Sequence, residues 1–272
     1  MHGRTSEGPA AWLKHWYAPR TTEATARRRL LCLPPAGGAA HLYRGWAASL
    51  PAGTEVLAVE LPGHGSRLTE EPLTRMADVV DGVITALESL PDPALPTVVL
   101  GHSMGAVIGW DLCLALRHYS GRPVRGLVSV AAQAPTRPAP ARWRAGADST
   151  EEDLLDLLDH SQSLPPELRH NPEFLDFYLP VLRADLEILA RHVPRREAPL
   201  PCELRVYTGE SDPLVGETDA WPWDGAETEG RRAFRAFPGG HFFLHERPGP
   251  FLEQLAADLQ EMTALHHAWS VR

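Results

Sequence analysis

Thr97-Val98-Val99-Leu100-Gly101-His102-Ser103-Met104-Gly105 is the stretch on which the reading of the fold turns. A short apolar run ends in a glycine, and G-x-S-x-G follows at once. Apolar residues then continue from Met104 to Tyr119 at a length that suits a helix. The pattern predicts a strand over 97–101 buried on both faces, a one-residue turn at Ser103 and a helix behind it. Such a turn forces the serine into a strained, exposed backbone, and the flanking glycines let neighbouring elements approach. The helix N-terminus aims free N–H groups and partial positive charge at the same point. Ser103 is therefore the candidate nucleophile. The competing reading is a glycine-rich turn with a capping serine.

Outward from this stretch, strands and helices alternate. Apolar runs at 28–33, 55–61, 126–132, 203–209 and 231–237 are predicted strands. A short helix is expected around 43–50. Met76, Val79, Val80, Val83, Ile84 and Leu87 recur at helical spacing, and 250–265 reads as a closing helix. Near-continuous apolar strands between helices imply an α/β protein with a mostly parallel sheet flanked by helices. Residues 1–27 are polar and read as a loose N-terminal arm, with Trp12, Trp16 and Tyr17 available to pack on the body. The main domain then runs over 28–272. Between Pro135 and Pro199 no strand is expected. Ser149–Glu152 resembles a capping box opening a helix, and a second helix is expected near 172–191. Together they predict a helical insertion over one end of the sheet, about 141–195.

A serine needs a base. His241 follows the last predicted strand after Gly239-Gly240, at a strand end from which it can reach Ser103; His245 is its nearest rival. No acidic residue completes an H-E-x-x-H pattern, so no metal site is expected there. The orienting acid lies between serine and histidine in chain order when the serine sits on such a turn. Asp212, just after the strand at 203–209, fits that place, and Glu210 is a weaker candidate. Two N–H donors are needed for the oxyanion. Met104 supplies one, and the loop Pro34-Pro35-Ala36-Gly37-Gly38 the other, with Ala36 favoured because Pro35 has no N–H. Gly37 beside Ala36, Phe242 beside His241, and Phe174 and Tyr178 in the insertion are candidate substrate-binding residues. Leu154, Leu155, Leu158, Phe177 and Leu182 are further candidates for a chamber lining, although amphipathic helices bury such stripes in any core.

The chain has 272 residues, enough for one large domain with a core that needs no staples. Its formal net charge of −9 disfavours a nucleic-acid binder and broad attraction to anionic membranes. Three dispersed cysteines, Cys32, Cys113 and Cys202, suit reduced buried thiols. No secretory signal or membrane-length apolar run is present, so a cytoplasmic protein is expected.

The blocks LCLPPAGGAAHLYRGWAASLP, LAVELPGHGSRL, GHSMGA, LPVLRADLEIL, TGESDPLV and FPGGHFFL occur in order over most of the chain. In this set the chain resembles the type II thioesterases, stand-alone enzymes of α/β-hydrolase fold that serve polyketide and non-ribosomal peptide synthases. The resemblance implies a Ser103–His241–Asp212 triad and a helical lid. It also implies an acyl thioester substrate on the phosphopantetheine of an acyl or peptidyl carrier protein, an editing role and no cofactor; a monomer is the default expectation. Two departures stand out: Pro35 where an aromatic is usual before A-G-G, and His64 where arginine is common. The alternatives are a medium-chain thioesterase releasing fatty acids from a fatty acid synthase, a general carboxylesterase, and an inactive hydrolase-fold binding protein. Asp148–Val193 holds 11 acidic and 3 basic residues. The resemblance implies carrier proteins that are acidic on their docking face, so the near-neutral body, not the lid, is expected to receive them.

Overall fold

The computed structural model describes residues 8–117, 119, 123–135, 149–161, 164–193, 199–215 and 228–264. Its centre is a seven-stranded sheet in the order β1-β3-β2-β4-β5-β6-β7. The strands are β1 (Leu13–Tyr17), β2 (Arg28–Leu33), β3 (Thr54–Val59), β4 (Thr97–His102), β5 (Val124–Val130), β6 (Glu203–Gly209) and β7 (Arg232–Phe237). Every neighbouring pair is parallel except β1–β3.

Alternation along the strands builds two cores. Leu31, Leu33 and Val99 face α1 (Met76–Glu88) and α2 (Met104–Leu116). Leu30, Cys32, Val98 and Leu100 face the opposite layer, where Phe251, Leu255 and Leu259 of the closing helix pack. Successive strand side chains point to opposite faces, so a sheet covered on both sides makes every residue of β4 apolar or buried.

Within the described part of the N-terminal segment, residues 8–27, the chain is not a loose arm. Residues 13–17 form an antiparallel edge strand, pairing Leu13 with Val59 and Tyr17 with Glu55. Its polar residues hid it, because an edge strand needs only one apolar face. Glu55, 3% exposed, collects them. Its Oε2 accepts Arg29 Nε at 2.7 Å, and its Oε1 meets His15 Nδ1 at 3.3 Å and the Tyr17 hydroxyl at 3.4 Å. Trp12 lies against Gly82 of α1, where any Cβ would overlap the indole, and Arg67 covers its ring at 4.7 Å. The helix expected at 43–50 is instead two 3-10 turns, Ala40–Tyr43 and Trp46–Ser49.

The insertion is helical: α3 (Glu151–Ser161), α4 (Pro166–Arg169) and α5 (Pro172–Ala190). The cap of α3 lies one residue later than expected. Thr150 N donates to Asp153 Oδ2 at 2.8 Å, and Asp153 N donates back to Thr150 Oγ1 at 3.2 Å. The linker at 136–140 and the expected lid margins at 141–148 and 194–195 lie outside the described residues. A four-residue turn, α6 (Phe243–Glu246), and α7 (Pro248–Ala264) close the chain. Among the described residues, no helix is long and apolar enough to cross a membrane.

Burial pushes the Glu55 carboxyl up, but the His15 and Arg29 contacts bring it below its usual range. Stabilisation from such a group is present above the unfolded carboxyl pKa and is lost as pH falls through the folded one. Glu55→Ala leaves Arg29 buried and unpaired and is expected to cost about 3 kcal/mol in urea unfolding at pH 7. That difference should shrink on acidification. A loss under ~1 kcal/mol would show that the edge strand is held by something else.

Candidate active site

β4 ends at His102 and α2 starts at Met104, so the chain reverses through Ser103 alone. Ser103 adopts φ 53° and ψ −114°, a left-handed conformation that an L side chain rarely occupies. Its N–H donates to Val130 O at 2.8 Å, tying the turn to β5. The flanking glycines are needed for close approach. A Cβ on Gly101 would overlap the Gly105 carbonyl, and one on Gly105 would overlap the Leu33 carbonyl.

Asp212 follows β6 and His241 follows β7, at the same end of adjacent parallel strands. Asp212 Oδ2 lies 2.8 Å from His241 Nδ1. Its Oδ1 accepts the amides of Leu214 at 2.8 Å and Val215 at 3.1 Å. A carboxylate engaged at both oxygens is held in one orientation. A carboxylate only accepts, so Nδ1 is the donor in this contact and Nε2 is the ring nitrogen left outside it. Ser103 and His241 line one cavity of about 40 Å³, together with Ala36 and Phe242. The rivals lie elsewhere. Glu210 is exposed. His245 packs on Tyr43 and Trp46, and burial with the nearby His41 charge lowers its pKa to about 4.

His102, which no pattern singled out, ties these pieces together. It is fully buried, and its Nε2 lies 2.9 Å from His241 O. A carbonyl only accepts, so Nε2 carries the proton. Burial first, then the His241 and His245 charges, hold its pKa well below the ordinary value, so the ring is neutral. The residue before the serine thus holds the loop that carries the histidine.

The loop after β2 forms a turn closed by Gly38 N–H to Pro35 O at 2.9 Å, with Gly37 at φ +69°. The Gly37 amide is already used: it donates to Asp185 Oδ2 of α5 at 2.7 Å. Ala36, beside it, lines the cavity. Met104 opens α2, so its amide has no acceptor one turn earlier in the helix.

Of the candidate substrate contacts, Phe242 faces the cavity, as do Leu158 and Leu182. Phe174 and Tyr178 do not line it. They stack on each other at 5.0 Å, and Tyr178 packs over Gly37. Phe177 points outward, 69% exposed. The lid faces the serine instead with Leu157, Ser161, Leu186 and Leu189. Helical periodicity marks an apolar stripe but not which part of it meets a distant strand end. Among the described residues, no group of three or more His, Cys, Asp or Glu side chains is placed to hold a metal ion.

A sequence model of the thioesterase domain family matches residues 28–261. The chain is 30% identical over 253 residues to the gramicidin S biosynthesis protein GrsT of Aneurinibacillus migulanus, covering 92% of this chain and 95% of that protein. It superposes on RedJ, a thioesterase from the prodiginine pathway of Streptomyces coelicolor, with a TM-score of 0.78. That pair is 30% identical, covering 89% and 92% of the two chains. For BorB, the type II thioesterase of the borrelidin cluster, the TM-score is 0.77 and the identity 28%, over 92% of this chain and 98% of BorB. With a serine turn, a lid and a mostly parallel sheet already in place, these matches make the chain a member of the thioesterase domain family, a thioester hydrolase on the α/β-hydrolase fold.

Proposed function

We propose that this thioesterase edits polyketide or non-ribosomal peptide synthesis by stripping short or stalled acyl groups from the phosphopantetheine arms of carrier proteins. The observation that carries the reading is the 2.8 Å His241–Asp212 contact in a chain whose Ser103 turn opens into the same cavity. Ser103 Oγ attacks the thioester carbonyl while His241 Nε2 takes its proton. The Ala36 and Met104 amides receive the oxyanion. The C–S bond then breaks, and the pantetheine sulfur leaves as a thiol with the proton from His241. A free thiol of this kind has a pKa near ~8.5, so departure needs little further help. Water, deprotonated by His241, attacks the acyl-serine and frees the acid and the serine. Every step uses the chain's own groups, and the enzyme works as a cytoplasmic monomer without a cofactor.

A short acyl group suits the cavity. At about 40 Å³ it is far smaller than the neighbouring cavity of about 320 Å³. Leu157, Leu186 and Leu214 line both this cavity and a second one of about 320 Å³ on their far side. They form a partition that limits acyl length.

Two outcomes are expected. Ser103→Ala should lose at least ~10³-fold in acyl release from acetyl-loaded carrier protein, read by intact mass, with its circular dichroism retained. Hydrolysis at the parent rate would defeat the triad assignment. Leu186→Ala should raise kcat/KM for octanoyl relative to acetyl carrier substrates by about tenfold, as expected when one side chain stops blocking a few methylenes. An unchanged ratio would show that the second cavity is not an extension of the first.

A further inference from the structure

Asp185 is a lid-helix carboxylate only 1% exposed, and a buried carboxylate needs partners. One oxygen, Oδ2, serves two of them from distant segments. It accepts the Gly37 amide at 2.7 Å and lies 2.9 Å from His64 Nε2. Tyr178, two turns earlier on α5, places its hydroxyl where a Cβ on Gly37 would stand. The lid helix therefore grips the turn after β2 at both the amide and the α-carbon of Gly37, the residue next to Ala36.

The protonation state of His64 follows from its neighbours. Its Nδ1 lies 3.0 Å from the Pro62 carbonyl and its Nε2 faces the Asp185 carboxylate. Both partners only accept, so both ring nitrogens carry protons and the ring is an imidazolium. The charged and titratable groups around it agree. Asp185 and Tyr178 come from α5, and Glu60 comes from the end of β3. Arg67 lies in the same loop, donating to the Glu60 carbonyl and paired with Glu70. The Glu60 carboxylate is itself held by the amides of Ala40 at 2.9 Å and Ser66 at 2.7 Å. Burial pulls the His64 pKa down, but the Asp185 charge and hydrogen bond, the Pro62 contact and Glu60 carry it above the ordinary histidine value.

We propose that Asp185 and His64 are positioning residues of the oxyanion hole, the Asp185–His64 ion pair holding Gly37, and with it the Ala36 amide, at the place where the oxyanion forms. This rests on the reading of Ala36 as an oxyanion donor. A histidine pKa raised by a partner means that the contact is complete at low pH and lost as pH rises through the folded value. Once Nε2 loses its proton, its lone pair opposes Asp185 Oδ2 and the grip on Gly37 loosens. The Ala36 amide meets charge that develops only in the transition state, so the loss falls on kcat and not on KM.

The test is steady-state hydrolysis of acetyl carrier protein from pH 6 to 10, corrected for spontaneous hydrolysis, for the parent, Asp185→Asn, His64→Arg and Ser103→Ala. In Asp185→Asn a single amide atom cannot satisfy both the Gly37 N–H and a neutral His64. Its kcat should fall about 10- to 100-fold with KM within about twofold, a fraction of the effect of losing an oxyanion donor outright. The parent should show an alkaline fall in kcat. In His64→Arg, whose guanidinium keeps its charge throughout, that fall should disappear. If Asp185→Asn does not fold by circular dichroism, the His64→Arg profile decides alone. Parent-like kcat in Asp185→Asn, or an alkaline fall that persists in His64→Arg, overturns the proposal. Ser103→Ala separates the two readings: if it is inactive while Asp185→Asn is unimpaired, only the positioning role fails, whereas an active Ser103→Ala removes the triad reading itself.

Discussion

The left-handed turn at Ser103 is the constraint around which the rest is arranged. Backbone of this kind costs on the order of 1–3 kcal/mol and persists only where its surroundings over-determine it. Here the surroundings are specific. The Ser103 amide is bonded to β5, and Gly101 and Gly105 let strand, helix and the end of β2 meet without side chains between them. From that turn the other distances follow. Met104 begins a helix with its amide free, and His102, pinned on the buried side, carries the bond to the His241 carbonyl.

The lid is part of the same construction as well as its cover. Leucines of α3 and α5 close the space over Ser103, and Asp185 and Tyr178 of α5 support the turn that holds Ala36. Two buried carboxylates manage the loops after β2 and β3: Glu60 with amide donors, Asp185 with an amide and an imidazolium. Burial makes each costly alone and restrictive once satisfied, because one oxygen must face particular donors. A loop held in this way places an amide more narrowly than apolar packing would.

Much of this was legible in the chain. The strands at 28–33, 97–102 and 203–209 could be read because a doubly covered parallel sheet leaves continuous apolar runs. Asp212 and His241, whose side chains lie 2.8 Å apart, could be singled out because each stands at a strand end beside turn residues. Other parts resisted. Leu13–Tyr17 looked like an arm because its strand is stitched by His15 and Tyr17 to Glu55, a pairing across 40 and 38 residues that composition does not reveal. Thr150 in place of Ser149 as the cap of α3 is a one-residue ambiguity between two equally good capping types.

By itself the sequence determined the serine turn, most of the strands that surround it and the identity of the residues at their ends. These depend on local backbone chemistry and on periodicity, both of which are written within a few neighbouring residues. Only the tertiary structure decided which face of α5 meets which loop. Leu186 and Leu189 line the cavity, while Phe174 and Tyr178 stack on each other with Tyr178 over Gly37. The tertiary structure also joined Asp185 to Gly37 across 148 residues and to His64 across 121. Contacts of that range are set by how whole layers pack, and a helical stripe read along the chain carries no record of its partner.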